Sequence, residues 1–133
     1  MDSSAWKATA SDAADKAAHA IDHQSKTLWS TKASQKTGQW LQVELPTESI
    51  VSGLRLDQSR AVADYPKSFK VEISMDGVKW TKVADANGLA GASEVCFTPV
   101  QVKFVKVTVV GAQKDKPWSV SELQLYAATP AGH

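Results

Sequence analysis

The chain has 133 residues, with 43% hydrophobic and 22% charged side chains, which suits one ordinary folded domain and excludes a disordered chain. Fifteen Lys and Arg against fourteen Asp and Glu leave a net charge of +1, so a nucleic-acid binder that relies on counterion release is also excluded. No apolar run approaches the roughly 18 residues of a membrane span. The opening MDSSAWKATASDAADK has neither a basic nor an apolar leader region and does not read as a signal peptide. That leaves a cytoplasmic protein or a module of a longer exported chain.

In chain order, the one helical candidate is Asp12 to Asp22, where Ala14, Ala17, Ala18 and Ile21 recur at helical spacing after a possible N-cap at Ser11. It is short and Ala-rich, enough for one or two turns. From residue 39 onward period-two alternation takes over. The predicted runs are Gln39 to Leu45, Val51 to Leu56, Phe69 to Ile73, Val78 to Val83, Glu94 to Thr98, Val102 to Val110 and Val120 to Tyr126. Asp76-Gly77 before the fourth run suits a tight hairpin. These runs, with connections too short for helical crossovers, predict an antiparallel sandwich or barrel. The segment 127–133 reads as a tail, and residues 1–133 as a single domain with its core at about 8–126.

Chemistry-bearing signals are sparse. There is no Gly-rich phosphate loop, G-x-S-x-G elbow, H-E-x-x-H or Cys-rich metal spacing, and the scattered carboxylates give no reason to expect an enzyme. The single cysteine, Cys96, lies in an apolar run and is expected to be a buried, inert thiol. His19 and His23 lack a third ligand at matching spacing and read as exposed or capping residues. Asp22 and Thr27, five apart, form an Asx-type turn on their own evidence, although such a loop can also supply oxygens to a hard cation.

Four motifs in order, AIDHQSKTLW, GQWLQVEL, YPKSFKVEISMDGVKW and PWSVSELQLY, resemble the discoidin family, also called coagulation factor 5/8 type C. Within it, the bacterial family 32 carbohydrate-binding modules are the most similar branch, and the absence of a terminal cystine points the same way. The resemblance runs from about Ala8 to Tyr126. It implies an all-β fold: an antiparallel β-sandwich of the jelly-roll, galactose-binding-domain-like type, with about eight strands and one short N-terminal helix or helical turn. It also implies a structural calcium held by Asp22, Thr27 and Glu122, with carbonyls from His19, Gln24 and Ser121. His23 stands where the family usually has Gly, which takes the backbone shape of that loop more easily, and Gln24 stands where it usually has Asp or Asn.

By the same resemblance the module is non-catalytic and binds a glycan or polysaccharide through end loops of the sandwich. A pyranose needs an aromatic platform and a few fixed polar groups. Trp29, Trp40 and Trp80 are expected in the core, and Trp6 is unassigned. Trp118, beside the polar stretch 113–117, is either the ligand platform or a plug for the barrel end. Arg60, Asp64 and Tyr65 supply the polar groups, and 30–37, with Lys32, Gln35 and Lys36, forms a third wall. The expected setting is secreted or extracellular, as a monomeric part of a larger chain, without nucleic acid or membrane as partner. The alternative is a protein-interaction or spacer domain that keeps the fold without a sugar site.

Overall fold

The computed structural model describes residues 5–23, 27–58 and 61–127. Its elements are β1 (Lys7–Ala10), a 3-10 helix (Ala14–Ala20), β2 (Trp29–Ser30), β3 (Trp40–Asp57), β4 (Ser68–Ser74), β5 (Thr81–Asn87), β6 (Ala92–Gly111), β7 (Ser119–Val120) and β8 (Glu122–Ala127). Every pairing among them is antiparallel. The main sheet runs β1-β3-β6-β4-β5, β8 pairs with β3, and β2 and β7 form a separate ribbon. The all-β antiparallel sandwich expected from the sequence is therefore present.

The two long strands build both layers. The first part of β3 pairs with β1 and with the end of β6, from Trp40↔Thr108 to Glu44↔Phe104, while its second part pairs with the start of β6 and with β8. Register shifts between Glu44 and Ser49 and between Val51 and Gly53 mark the change. Only the second shift changes which residues face inward. Leu41, Val43 and Leu45 are buried before them, Val51 between them, and Leu54 and Leu56 after. β6 breaks phase likewise, between Val102 and Val105. Four sequence runs thus become two continuous strands, and Pro46 and Pro99 are accommodated in stretches exposed to solvent. Lys7 pairs with Glu44 and Ala127 with Val51, on either side of the fold-over in β3.

Several expectations are corrected. The N-terminal helix is 3-10, and its three-residue period buries Ala17 and Ala20 while Ala14 and Ala18 stay exposed. Ser11 does not cap it; its hydroxyl accepts the Trp40 N–H at 2.9 Å, and the residue before the helix is Ala13 in a left-handed conformation. The β4–β5 connection is longer than a two-residue hairpin. Gly77 has φ 77°, and Asp76 Oδ1 accepts the N–H groups of Val78 and Lys79 at 2.8 and 2.9 Å, so Val78 lies in the loop, 77% exposed. Cys96 is exposed, because the alternation along β6 turns it outward. Trp29 is fully buried and Trp6 joins the core, but Trp40 and Trp80 are only half-buried on the outer sheet face. There Lys106 Nζ lies 4.2 Å from the Trp80 ring centroid and 5.9 Å from that of Trp40.

Candidate functional site

Four connections meet at one end of the sandwich, their described residues being 31–39, 58 with 61–67, 88–91 and 112–118. Among the described residues they are tied together by hydrogen bonds rather than ion pairs. Gln35, 6% exposed, donates from Nε2 to the carbonyls of Tyr65 (2.8 Å) and Pro117 (3.1 Å) and accepts the Gln113 N–H on Oε1 at 2.9 Å. Gln113 Nε2 in turn donates to the carbonyls of Ala63 and Tyr65, at 3.0 and 2.8 Å. Both glutamines thus converge on the Tyr65 carbonyl and hold the β3–β4 and β6–β7 connections together. Buried backbone carbonyls need such partners, so the side-chain amides fix the loop paths.

Asp64 is anchored the same way. The Ser119 N–H donates to its carbonyl at 3.0 Å, and the Ser119 hydroxyl donates to Oδ2 at 2.7 Å. Asp64 and Tyr65, both half-buried, are therefore brought to the loop end as expected, but through contacts that shape the loops. Arg60 lies outside the described residues.

Trp118 resolves in favour of packing. Its ring is fully buried, set edge-on to Trp29 with centroids 4.8 Å apart and planes at 89°, so it offers no face to a ligand. Its backbone joins the loops instead: its N–H donates to Thr31 Oγ1 at 3.0 Å and its carbonyl accepts the Thr31 N–H at 2.9 Å. The solvent-facing rim of this end carries Lys32, Lys36, Val62, Lys114, Asp115 and Lys116. Sequence reasoning missed the parts played by Gln58, Gln113 and Ser119. Their signal is polar residues in or beside apolar runs; Gln58 is fully buried, with its N–H donating to the Gly91 carbonyl at 2.7 Å.

The expected cation loop lies beside β8. Thr27 Oγ1 donates to Asp22 Oδ2 at 2.7 Å, and the His23 N–H donates to Glu122 Oε1 at 3.2 Å. His23 has φ 56°, the left-handed shape for which Gly is the easier residue. Burial pushes the Glu122 carboxyl above the ordinary carboxylate range; the charge and N–H of His23 oppose this, while the charges of Asp22 and Asp57 reinforce it. Glu122 Oε2 is buried without a hydrogen-bond donor, with His23 Nδ1 3.6 Å away. A buried carboxylate oxygen beside two further acids suits a hard cation. Among the described residues, no three His, Cys, Asp or Glu side chains converge closely enough to hold a metal by themselves. Any cage would therefore need Thr27 and backbone carbonyls as well. Ser121 is buried, with its N–H donating to the Asp57 carbonyl at 2.7 Å, and His19 is half-buried. Gln24 lies outside the described residues.

The chain belongs to the F5/8 type C domain family, whose model matches residues 3–123. Lactadherin of Sus scrofa is 33% identical over 104 residues, 68% of this chain and 25% of that protein, so the chain spans about a quarter of this relative's length. Among solved structures, chitosan-binding module 1 of a chitosanase/glucanase from Paenibacillus sp. IK-5 has a TM-score of 0.76 at 28% identity, covering 90% of this chain and 93% of that one. The family 32 carbohydrate-binding module of Clostridium perfringens NanJ, solved with galactose, has a TM-score of 0.79 at 22% identity, covering 94% and 96%.

Proposed function

We propose that this chain is a non-catalytic carbohydrate-binding module that binds a glycan at the clamped loop end and works as part of a larger secreted protein. The observation that carries this reading is the network of Gln35, Gln113, Ser119 and Asp64. It fixes three of the end loops before any ligand arrives, as a weak sugar site requires. Solved structures similar to it include chitosan-binding and galactose-bound modules. Tethering to a second site would strengthen weak binding through local concentration. The proposed calcium is structural: it would be held by Asp22, Thr27 and Glu122 with carbonyls of His19, Gln24 and Ser121, and would relieve the repulsion around Glu122.

A glycan array followed by amide-resolved NMR titration at millimolar sugar tests the reading. Shifts confined to the loops at 31–39, 58–67 and 112–118 support it, and no response to a broad panel defeats it. One observation favours a second reading, a protein-interaction or spacer domain: the burial of Trp118 removes the aromatic platform expected in the last loop. That reading predicts no sugar response at all.

A further inference from the structure

Beside the loop end, between the 3-10 helix and the β2–β3 connection, a cavity of about 220 Å3 is lined by Lys16, His19, Leu28, Ser30 and Lys32. Two lysines and no acid face it. None of the ion pairs among the described residues uses either lysine. Cavities for drug-sized ligands are about 300–1,000 Å3, so the space suits one sugar unit rather than a chain.

Lys32 is held in place by an unusual backbone. Its φ is 61°, a left-handed conformation uncommon for a residue with a Cβ and worth examining for function wherever it occurs. Its N–H donates to Ser30 Oγ at 3.0 Å. Ser30 Oγ lies 2.9 Å from Ser119 Oγ. The one Ser119 proton goes to Asp64 Oδ2, which can only accept, so Ser30 is the donor to Ser119. A directed chain thus runs from the Lys32 backbone through two hydroxyls to the Asp64 carboxylate, and it fixes the strained turn that carries the ammonium.

We infer that this cavity binds the anionic group of an acidic sugar unit, a carboxylate or a sulfate ester, between Lys16 and Lys32, with Leu28 against the apolar face of the ring. The inference rests on the glycan-binding reading above and names the class of sugar for a second wall of that end.

The test is an amide-resolved NMR titration of the full chain with galacturonic acid, galactose 6-sulfate, galactose and sodium sulfate. Either or both acidic sugars should shift Leu28, Ser30 and Lys32 with affinity about tenfold above galactose, falling with added salt. Which acidic sugar acts separates carboxylate from sulfate recognition. Lys16→Gln and Lys32→Gln should each weaken the acidic sugar roughly fivefold, and Lys79→Gln, on the β4–β5 loop, should not. Lys32→Gly keeps the left-handed turn without strain and removes the ammonium, so it should fold normally and bind as weakly as Lys32→Gln. Equal affinity for galactose and both acids, or acid-specific shifts that survive both lysine substitutions, overturns the inference but leaves the glycan reading intact. A response to sulfate but to no sugar overturns it as well. Silence from every sugar at every loop defeats both readings.

Discussion

Trp118 shows how one residue type can serve opposite ends. Its neighbours in sequence are polar, which is the surrounding expected of a ligand platform, yet the indole fills the core against Trp29. Flanking polarity reports where the backbone runs, not which way a side chain turns. Trp118→Ala should therefore act first on stability, by about 3–5 kcal/mol, read as a lowered denaturant midpoint without sugar. A variant that keeps its stability would mean the ring is not core. Gln35→Ala leaves the Pro117 carbonyl without its amide donor and the Tyr65 carbonyl with that of Gln113 alone, and about 1–3 kcal/mol of destabilisation is expected. Faster amide exchange at 113 should accompany it, since Gln35 Oε1 accepts that N–H. Asp76 is the residue with a legible pH signature. The N–H groups of Lys79 and Val78, then the Ser74 hydroxyl, hold its carboxyl below the ordinary range. The stabilisation is present above the ordinary Asp pKa of about 3.9 and is lost as pH falls through the depressed value. The Tm gap between wild type and Asp76→Ala should accordingly close in acid.

At the scale of elements, the strands were legible wherever one face is wet and the other packed. Phe69, Val71 and Ile73 alternate with Lys70 and Glu72 in sequence and in burial alike. What could not be read was continuity. Val51 and Leu54 are out of phase by one residue, and in sequence such a break looks like a turn between two strands; the hydrogen-bonded register carries β3 through it. β1 and β2 are too short to show a period of their own. The Ala-rich segment did show its helical character, but 3-10 and α periods differ too little over seven residues to separate. The loop clamps were the least legible part of the candidate site. They rely on single Gln and Ser residues reaching carbonyls or a carboxylate 30 or more positions away, and no local pattern encodes that. The positive φ of His23, by contrast, falls at the position where the resemblance to the discoidin family implies glycine.

For the whole molecule, the testable quantity is the coupling of the cation loop to the fold. An ion bound only to the native state stabilises it by about 2.7 kcal/mol at a hundredfold excess over Kd, so calcium should raise the Tm by several degrees and excess chelator should reverse the gain. The Glu122→Gln variant, lacking the carboxylate, should melt at the same temperature in calcium and in chelator. A wild-type Tm unmoved by either would remove the ion from the proposal.

The placement of β1 and β8 along β3 has a consequence for how the module can be worn by a larger protein. Since Lys7 meets Glu44 and Ala127 meets Val51, the strands that lead in and out both touch β3 where it folds over, while the clamped loops close off its two far tips at residues 40 and 57. β1 therefore begins and β8 ends at the pole opposite the loops. In the proposed setting within a larger protein, a neighbouring domain joined at either end would leave the clamped loop end uncovered.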